Sequence, residues 1–169
     1  MSIIAFIGVG NMGGGMAANL ARAGHDVRAF DLAEAAVARA VSHGCTAAAS
    51  ARAAAAGADA IVTMLPAGSH VAAAYHDTLF AAASAHAILI DCSTIDVSAA
   101  RSVGEAAAQK GLKMVDAPVS GGTAAADAGT LTFMVGGPDA AFALARPILE
   151  DMGKAVIHRS EERRVGKEC

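Results

Sequence analysis

Residues Ile3 to Asp31 read IIAFIGVGNMGGGMAANLARAGHDVRAFD. Ile3–Ile7 is a short apolar run of the kind that forms a buried strand. Gly8-Val9-Gly10-Asn11-Met12-Gly13 follows at once and fits G-x-G-x-x-G. Met12 to Ala23 then predicts a helix closed by Gly24, and Val27–Phe30 a second strand ending on Asp31. The whole is a βαβ unit with its turn glycines in place. Gly8 permits the tight turn, Gly10 leaves room for a pyrophosphate beside the backbone, and Gly13 lets the helix pack closely on the strand. The first helical N–H groups have no intrahelical partner, and the helix dipole adds positive charge there. That end suits an anion. Asp31 lies eighteen residues past Gly13, close to the offset of about 20 expected for an acid that binds a ribose. A carboxylate at that point accepts from both ribose hydroxyls and repels a 2′-phosphate, so the stretch predicts NAD rather than NADP as cofactor. A lone glycine motif is a weak signal. Here the strand before it, the helix after it and the acid at the next strand end are three separate conditions, all met.

The chain of 169 residues has the length of one domain. Its net charge is −3 and only 4% of its residues are aromatic. A basic stripe is lacking, which argues against nucleic acid as partner. The longest uncharged stretch, Ala60–His76, contains Pro66, Gly68, Ser69 and His70, so no membrane span is expected. With no leader pattern either, the chain reads as soluble and cytoplasmic. Cys45, Cys92 and Cys169 form no C-x-x-C, and Cys92 reads as a small buried hydrophobe rather than a nucleophile. The six histidines are scattered, so no metal site is expected.

Along the rest of the chain strands alternate with helices. Strands are expected at Asp59–Leu65, Ala87–Asp91, Lys113–Asp116, Leu131–Val135 and Ala155–His158. Helices are expected over Leu32–His43 with Asp31 as N-cap, over Ser50–Ala56, in two short pieces at Ser69–Tyr75 and Leu79–Ala83, from Asp96 to Lys110, and from Pro138 to Met152. This alternation predicts an α/β fold, a Rossmann-like, doubly wound and mostly parallel sheet. Parallel crossovers are right-handed, so the strands' carboxyl ends share one edge. The loops Gly8–Gly13, Leu65-Pro66, Ser93-Thr94 and Ser120–Gly122 all fall at that edge, which argues for one site.

The segments FIGVGNMGGGMAANL, TMLPAGSHV, IDCSTIDVSAAR, DAPVSGG and GTLTFMVGG resemble, in order and spacing, the β-hydroxyacid dehydrogenases. Within that family the resemblance is strongest to the branch acting on 3-hydroxyisobutyrate in valine breakdown. It covers nearly all of residues 1–158, which it implies are an NAD-binding domain. It implies that residues 3–31, with Asn11 and Met12 beside the motif glycines, hold the adenosine and pyrophosphate. Leu65 and Pro66 would lie along the cofactor, with His70 nearby and Thr94 beside the nicotinamide ribose. Ser120, Gly121 and Gly122 would hold the substrate's carboxylate. By themselves these three residues fit a plain turn as well as an anion-binding concavity of hydroxyl and unhindered N–H groups. The resemblance implies the second. This sequence departs from the family at Gly15 and Val97, where proline is frequent, and at Ala125, where glycine is frequent.

The family's acid/base lysine belongs to a helix leading into an all-helical second domain, which is expected to be absent from this chain. None of Lys110, Lys113, Lys154 and Lys167 stands in the matching context, so the proton-transfer role is assigned to no residue here, and the chain by itself is expected to be inactive. Arg159–Cys169, RSEERRVGKEC, leaves the family pattern and resembles translated adapter read-through. It is expected to be a non-native tail. The activity implied is hydride transfer between 3-hydroxyisobutyrate and NAD, giving methylmalonate semialdehyde, with homo-oligomerisation of the full-length protein. Two alternatives remain: a relative acting on tartronate semialdehyde, glyoxylate or another short acid, and a non-catalytic NAD-binding module. Asp31→Ala is predicted to weaken NAD binding and narrow the gap to NADP in calorimetry. Equal affinity of the unaltered chain for both cofactors would remove the role given to Asp31.

Overall fold

The computed structural model describes residues 1–159. The first unit forms as read: β1 (Ile3–Ile7), α1 (Gly13–Arg22) and β2 (Asp26–Phe30), with β1 and β2 parallel. Next come α2 (Glu34–Ser42), β3 (Thr46–Ala47), α3 (Ala51–Ala55), β4 (Ala60–Thr63) and α4 (Gly68–Ala74). A π turn over Tyr75–Leu79 joins α4 to α5 (Phe80–Ala82). The second half holds β5 (Ile88–Asp91), α6 (Val97–Gln109), β6 (Lys113–Asp116), β7 (Val119–Ser120), α7 (Gly122–Ala128), β8 (Leu131–Gly136), α8 (Asp139–Glu150) and β9 (Gly153–Arg159).

The sheet runs β3-β2-β1-β4-β5-β6-β8-β7, with β9 on β8. Its first six strands follow the dinucleotide-binding order, reversing direction between β1 and β4. Pairing is parallel from β3 through β6 and between β8 and β9, and antiparallel where β8 meets β6 and β7. The sheet is therefore mostly parallel, as expected.

Strand alternation sorts the core into two layers. Ile4 and Phe6 of β1, Val62 of β4 and Ile90 of β5 pack with Met16 and Leu20 of α1 and with Ile148 and Leu149 of α8. Ala5, Ile7, Ile61 and Leu89 pack on the other face with Val71, Tyr75, Leu79 and Val103. Helices cover both faces, so β1, β4 and β5 carry near-continuous apolar sequence. The alanine richness has a mechanical use: Ala17, Ala54, Ala55, Ala107 and Ala145 are fully buried where helices meet the sheet or one another. Small side chains there permit close helix approach.

Several boundaries differ from expectation. α1 begins at Gly13 and α2 at Glu34; Leu32 stands outside, 93% exposed. Asp31 does not cap α2: the N-cap is Ala33, because the Asp31 carboxylate is taken by other donors described below. The expected third strand stops at Thr63, leaving Leu65-Pro66 as loop. The two short helical pieces after it are continuous through the π turn, which absorbs one extra residue without breaking the helix. β3, β7 and α7 escaped the sequence reading. Two-residue strands carry no periodicity, and the glycine pair before α7 reads as a loop. Pro138 is the N-cap of α8 rather than a first-turn residue. The last strand, expected to end at His158, includes Arg159, paired with Gly136. The rest of the charged tail, 160–169, lies outside the described residues. Among the described residues no helix is long and apolar enough to cross a membrane.

Side chains cap two helices: Asp96 at α6, as its sequence promises, and Ser50 at α3, where the sequence places Ser50 inside the expected helix. Ser50 accepts from the Ala53 N–H at 3.0 Å, and Asp96 from the Ala99 N–H at 2.7 Å. Asp96→Ala is expected to cost about 1 kcal/mol and to lower the melting temperature by about 2–4 °C for a domain of this size, measured by thermal denaturation.

Candidate cofactor and substrate site

Three glycines shape the turn after β1, each for a different reason. Gly8 has φ +95°, and a Cβ there would run into the Met64 carbonyl at the end of β4. A Cβ on Gly13 would strike the Gly8 carbonyl, so the first turn of α1 rests directly on the loop. Gly10 faces open space, with nothing within 4 Å of where its Cβ would stand. The Gly14 N–H turns back onto the Gly10 carbonyl at 2.8 Å. The N–H groups of Asn11, Met12 and Gly13 precede the helix ladder, at the positive end of α1. The result is a side-chain-free cradle that fits a diphosphate.

Asp31 sits across from it. Its Oδ2 accepts from the Val9 N–H at 3.0 Å and its Oδ1 from the Ala33 N–H at 2.8 Å. The carboxylate thus closes one side of the glycine loop, and each oxygen keeps a further lone pair for an incoming hydroxyl. Leu32 beside it presents bare apolar surface.

On the other side of the sheet's reversal, the Leu65 side chain comes within about 3 Å of the would-be Gly8 Cβ, and its N–H donates to Ser93 Oγ at 2.8 Å. The structure therefore makes the glycine loop a neighbour of Asp31 through Val9 and of Leu65 through Gly8, with Thr94 one residue past Ser93. Thr94 and Pro66 are exposed there. His70 is exposed in the first turn of α4, and its side chain makes no hydrogen bond among the described residues.

Ser120, Gly121 and Gly122 are exposed at the junction of β7 and α7. Ser120 lies in a strand, paired with Thr132, rather than in a free loop. Gly121 and Gly122 have φ +134° and +71°. Ala125 packs beneath Gly121, whose own Cβ would fall 2.7 Å from that of Ala125. This segment is tied to the glycine loop through α1. A Cβ on Gly15 would strike Asp127 of α7, so the two helices touch backbone to backbone. Asn19 Nδ2 donates to the carbonyls of Ala126 at 2.7 Å and Asp127 at 3.3 Å, and Oδ1 accepts from Arg22 at 2.8 Å. A cleft of about 610 Å3 runs along α1 from Gly10 and Asn11 to Thr123 and Asp127. Asn19 was not singled out in the sequence. Asparagine inside a helix carries no chemical signature until the helix opposite is known.

A second set of missed residues lies below the crevice. Asp91, Ser93, Thr63 and Tyr75 are all buried and hydrogen-bonded to one another. Burial raises the Asp91 carboxyl above its ordinary value, against the hydrogen bonds from Ser93 and Thr63, with Asp116 adding repulsion. Burial likewise pushes the Tyr75 hydroxyl well up.

Residues 3–160 match the family described as the NAD binding domain of 6-phosphogluconate dehydrogenase. The chain belongs to this family. It is 53% identical to the 3-hydroxyisobutyrate dehydrogenase of Pseudomonas aeruginosa over 163 residues, which are 95% of this chain and 55% of that protein. It is 50% identical over 160 residues to the NAD-dependent L-serine dehydrogenase of the same organism, covering 94% of this chain and 54% of that one. The solved Mycobacterium tuberculosis 3-hydroxyisobutyrate dehydrogenase with L-serine superposes with a TM-score of 0.92 at 48% identity, over 95% of this chain and 55% of that one. The chain spans about half the length of the curated relatives it matches.

Cys92 stands in this site between Asp91 and Ser93 yet is fully buried; burial and the Asp91 charge push its thiol well up. Burial pushes Cys45 up to about 11, which leaves about a hundredfold less thiolate at neutral pH than an ordinary cysteine. In a Cys169→Ser background, Cys45 and Cys92 are expected to resist a thiol reagent at pH 7 until the chain is unfolded. Rapid native-state labelling of Cys92 would restore the nucleophile reading.

Proposed function

We propose that this chain is the cofactor-binding part of an NAD-dependent dehydrogenase for a short 3-hydroxy acid, with 3-hydroxyisobutyrate as substrate and methylmalonate semialdehyde as product. The observation that carries the reading is the open cradle at Gly10, flanked by the Asp31 carboxylate on one side and the Leu65-Pro66 loop on the other. In this reading the N–H groups of Asn11, Met12 and Gly13 bind the diphosphate. Asp31 accepts from the adenosine ribose hydroxyls. Leu65, Pro66, His70 and Thr94 line the nicotinamide half.

Bound NAD supplies the hydride acceptor. The chain's own part is placement: Ser120 Oγ and the N–H groups at Gly121 and Gly122 orient the substrate carboxylate, so that the carbinol C–H faces the cofactor. Oxidation releases the hydroxyl proton, and we give the accepting role to none of these lysines. Lys113 opens β6 and Lys110 ends the helix before it, so both lie at the sheet edge opposite the crevice. A positioned base is worth about 10²–10⁴ in rate.

L-serine is the second substrate to test, because a relative at 50% identity is named for it. It shares the carboxylate and the 3-hydroxyl and differs in its ammonium. Discrimination therefore rests on groups around C2.

Calorimetry with NAD and NADP tests the cofactor reading; NAD is expected to bind at least about tenfold tighter, a difference of about 1.4 kcal/mol. Absorbance at the reduced nicotinamide band, with 3-hydroxyisobutyrate, L-serine or glycerate (the alcohol of tartronate semialdehyde) added, tests turnover in the protein carrying this chain. There Ser120→Ala is expected to raise KM about tenfold with a smaller effect on kcat. NAD binding without oxidation of any 3-hydroxy acid identifies a binding module instead. Absence of NAD binding overturns the proposal.

A further inference from the structure

Thr63 closes β4 and Asp91 closes β5, in register with each other. Alternation puts both on the face of Ile61 and Leu89, where Tyr75 packs. Thr63 Oγ1 lies 2.8 Å from the Tyr75 hydroxyl and 2.9 Å from Asp91 Oδ1. Thr63 donates to Asp91; threonine has one hydroxyl proton, so Tyr75 donates to Thr63. Ser93 supplies two more donors to the same carboxylate, its N–H at 3.1 Å and its hydroxyl. Ser93 Oγ in turn accepts from the Leu65 N–H at 2.8 Å. Every proton in the cluster points toward Asp91.

The exposures are 0% for Thr63 and Tyr75 and 2% for Asp91 and Ser93. Packing alone does not call for such a cluster. Valine at Thr63 and phenylalanine at Tyr75 keep nearly the same shape without the desolvation cost of buried polar groups. An apolar cluster would lack direction, however. This one joins the turn after β4 to the turn after β5 by a bond to a specific backbone N–H. Those two turns carry Leu65-Pro66 and Thr94, whose side chains make no hydrogen bond among the described residues.

We propose that Asp91 is a positioning residue: through Ser93 it holds the Leu65-Pro66 backbone against Thr94 and so sets the wall on which the nicotinamide half of the cofactor rests. The inference builds on the NAD reading above and deepens it. It assigns the adenosine half to the glycine loop and Asp31, and the reactive half to a buried polar support that touches no ligand.

The two halves can be separated with ADP-ribose, which keeps the adenosine diphosphate and lacks nicotinamide. Binding of NADH and of ADP-ribose is measured for the unaltered chain, Ser93→Ala and Asp91→Asn. Nicotinamide fluorescence and amide exchange at Leu65 are read alongside. The unaltered chain is expected to bind NADH more tightly than ADP-ribose. In both variants the ADP-ribose Kd stays within about twofold, the NADH Kd rises about tenfold, and Leu65 exchanges at least about tenfold faster, the scale of a lost hydrogen bond to a charged network. Should Asp91→Asn fail to fold, Ser93→Ala carries the test alone, since it removes the link to Leu65 and leaves the Thr63 bond in place. Equal weakening of both ligands, an unchanged NADH to ADP-ribose ratio, or equal affinities in the unaltered chain would each overturn the inference. Failure of the unaltered chain to bind ADP-ribose at all would instead overturn the NAD reading.

Discussion

The structure depends on a clearance between backbones. The first turn of α1 rests on the Gly8 carbonyl, and Gly8 rests on the Met64 carbonyl, with room for hydrogen at both glycines and for nothing larger. This contact stacks three things in one place: the end of β1, the end of β4 and the amino end of α1. The sheet reverses its order between those two strands. A crevice opens wherever successive helices leave a parallel sheet on opposite faces. Here the clearance lets the positive end of a helix stand at the mouth of that crevice. A side chain at Gly13 would push α1 off the Gly8 carbonyl and take its N–H groups away, and one at Gly8 would drive the loop off the Met64 carbonyl.

Around that contact the polar groups divide into two kinds. The Val9 to Asp31 bond is only partly buried and leaves acceptor capacity on the carboxylate. The Thr63, Tyr75, Asp91 and Ser93 cluster is buried and internally satisfied, with every donor directed inward. The first kind is available to a ligand. The second holds the backbone that a ligand would meet. The helix α7 adds a third connection, since Asn19 takes its terminal carbonyls and Gly15 admits it against α1. The glycine loop and the Ser120 segment are thereby braced on the same helix. Gly15 and Ala125 fall on this brace: Gly15 is where the helices touch, and Ala125 is what Gly121 must clear.

Legibility in the sequence followed range. The βαβ unit was readable because its determinants are local: an apolar run, a glycine spacing, a helical period and an acid at a fixed offset. The Asp96 cap was readable for the same reason, since a cap bonds three residues ahead. Asp31 was placed correctly but given a wrong local partner. Its carboxylate turns to Val9, twenty-two residues away, and to Ala33, and so never caps α2. Ser93 stood beside Thr94 in the reading and passed without comment. Nothing near it in sequence indicates that Leu65 will donate to it across 28 residues. Tyr75 is expected only as the end of a short helical piece, and its hydroxyl partner emerges only with the register of β4 and β5.

By itself, the sequence determined the class of fold, the glycine turn between the first strand and the first helix and the edge of the sheet where the informative loops gather. These follow from spacing along the chain, and spacing is what a sequence records. The tertiary structure alone decided which side chains support those loops, how the Ser120 segment is braced, and that β7 and α7 exist. Each of these rests on a partner beyond helical or turn range: 12 residues away for Thr63 and Tyr75, 28 for Leu65 and Ser93, and 107 for Asn19 and Ala126. Such a pairing has no periodicity to betray it. It is set only when strand order and helix packing bring two remote groups within hydrogen-bonding distance.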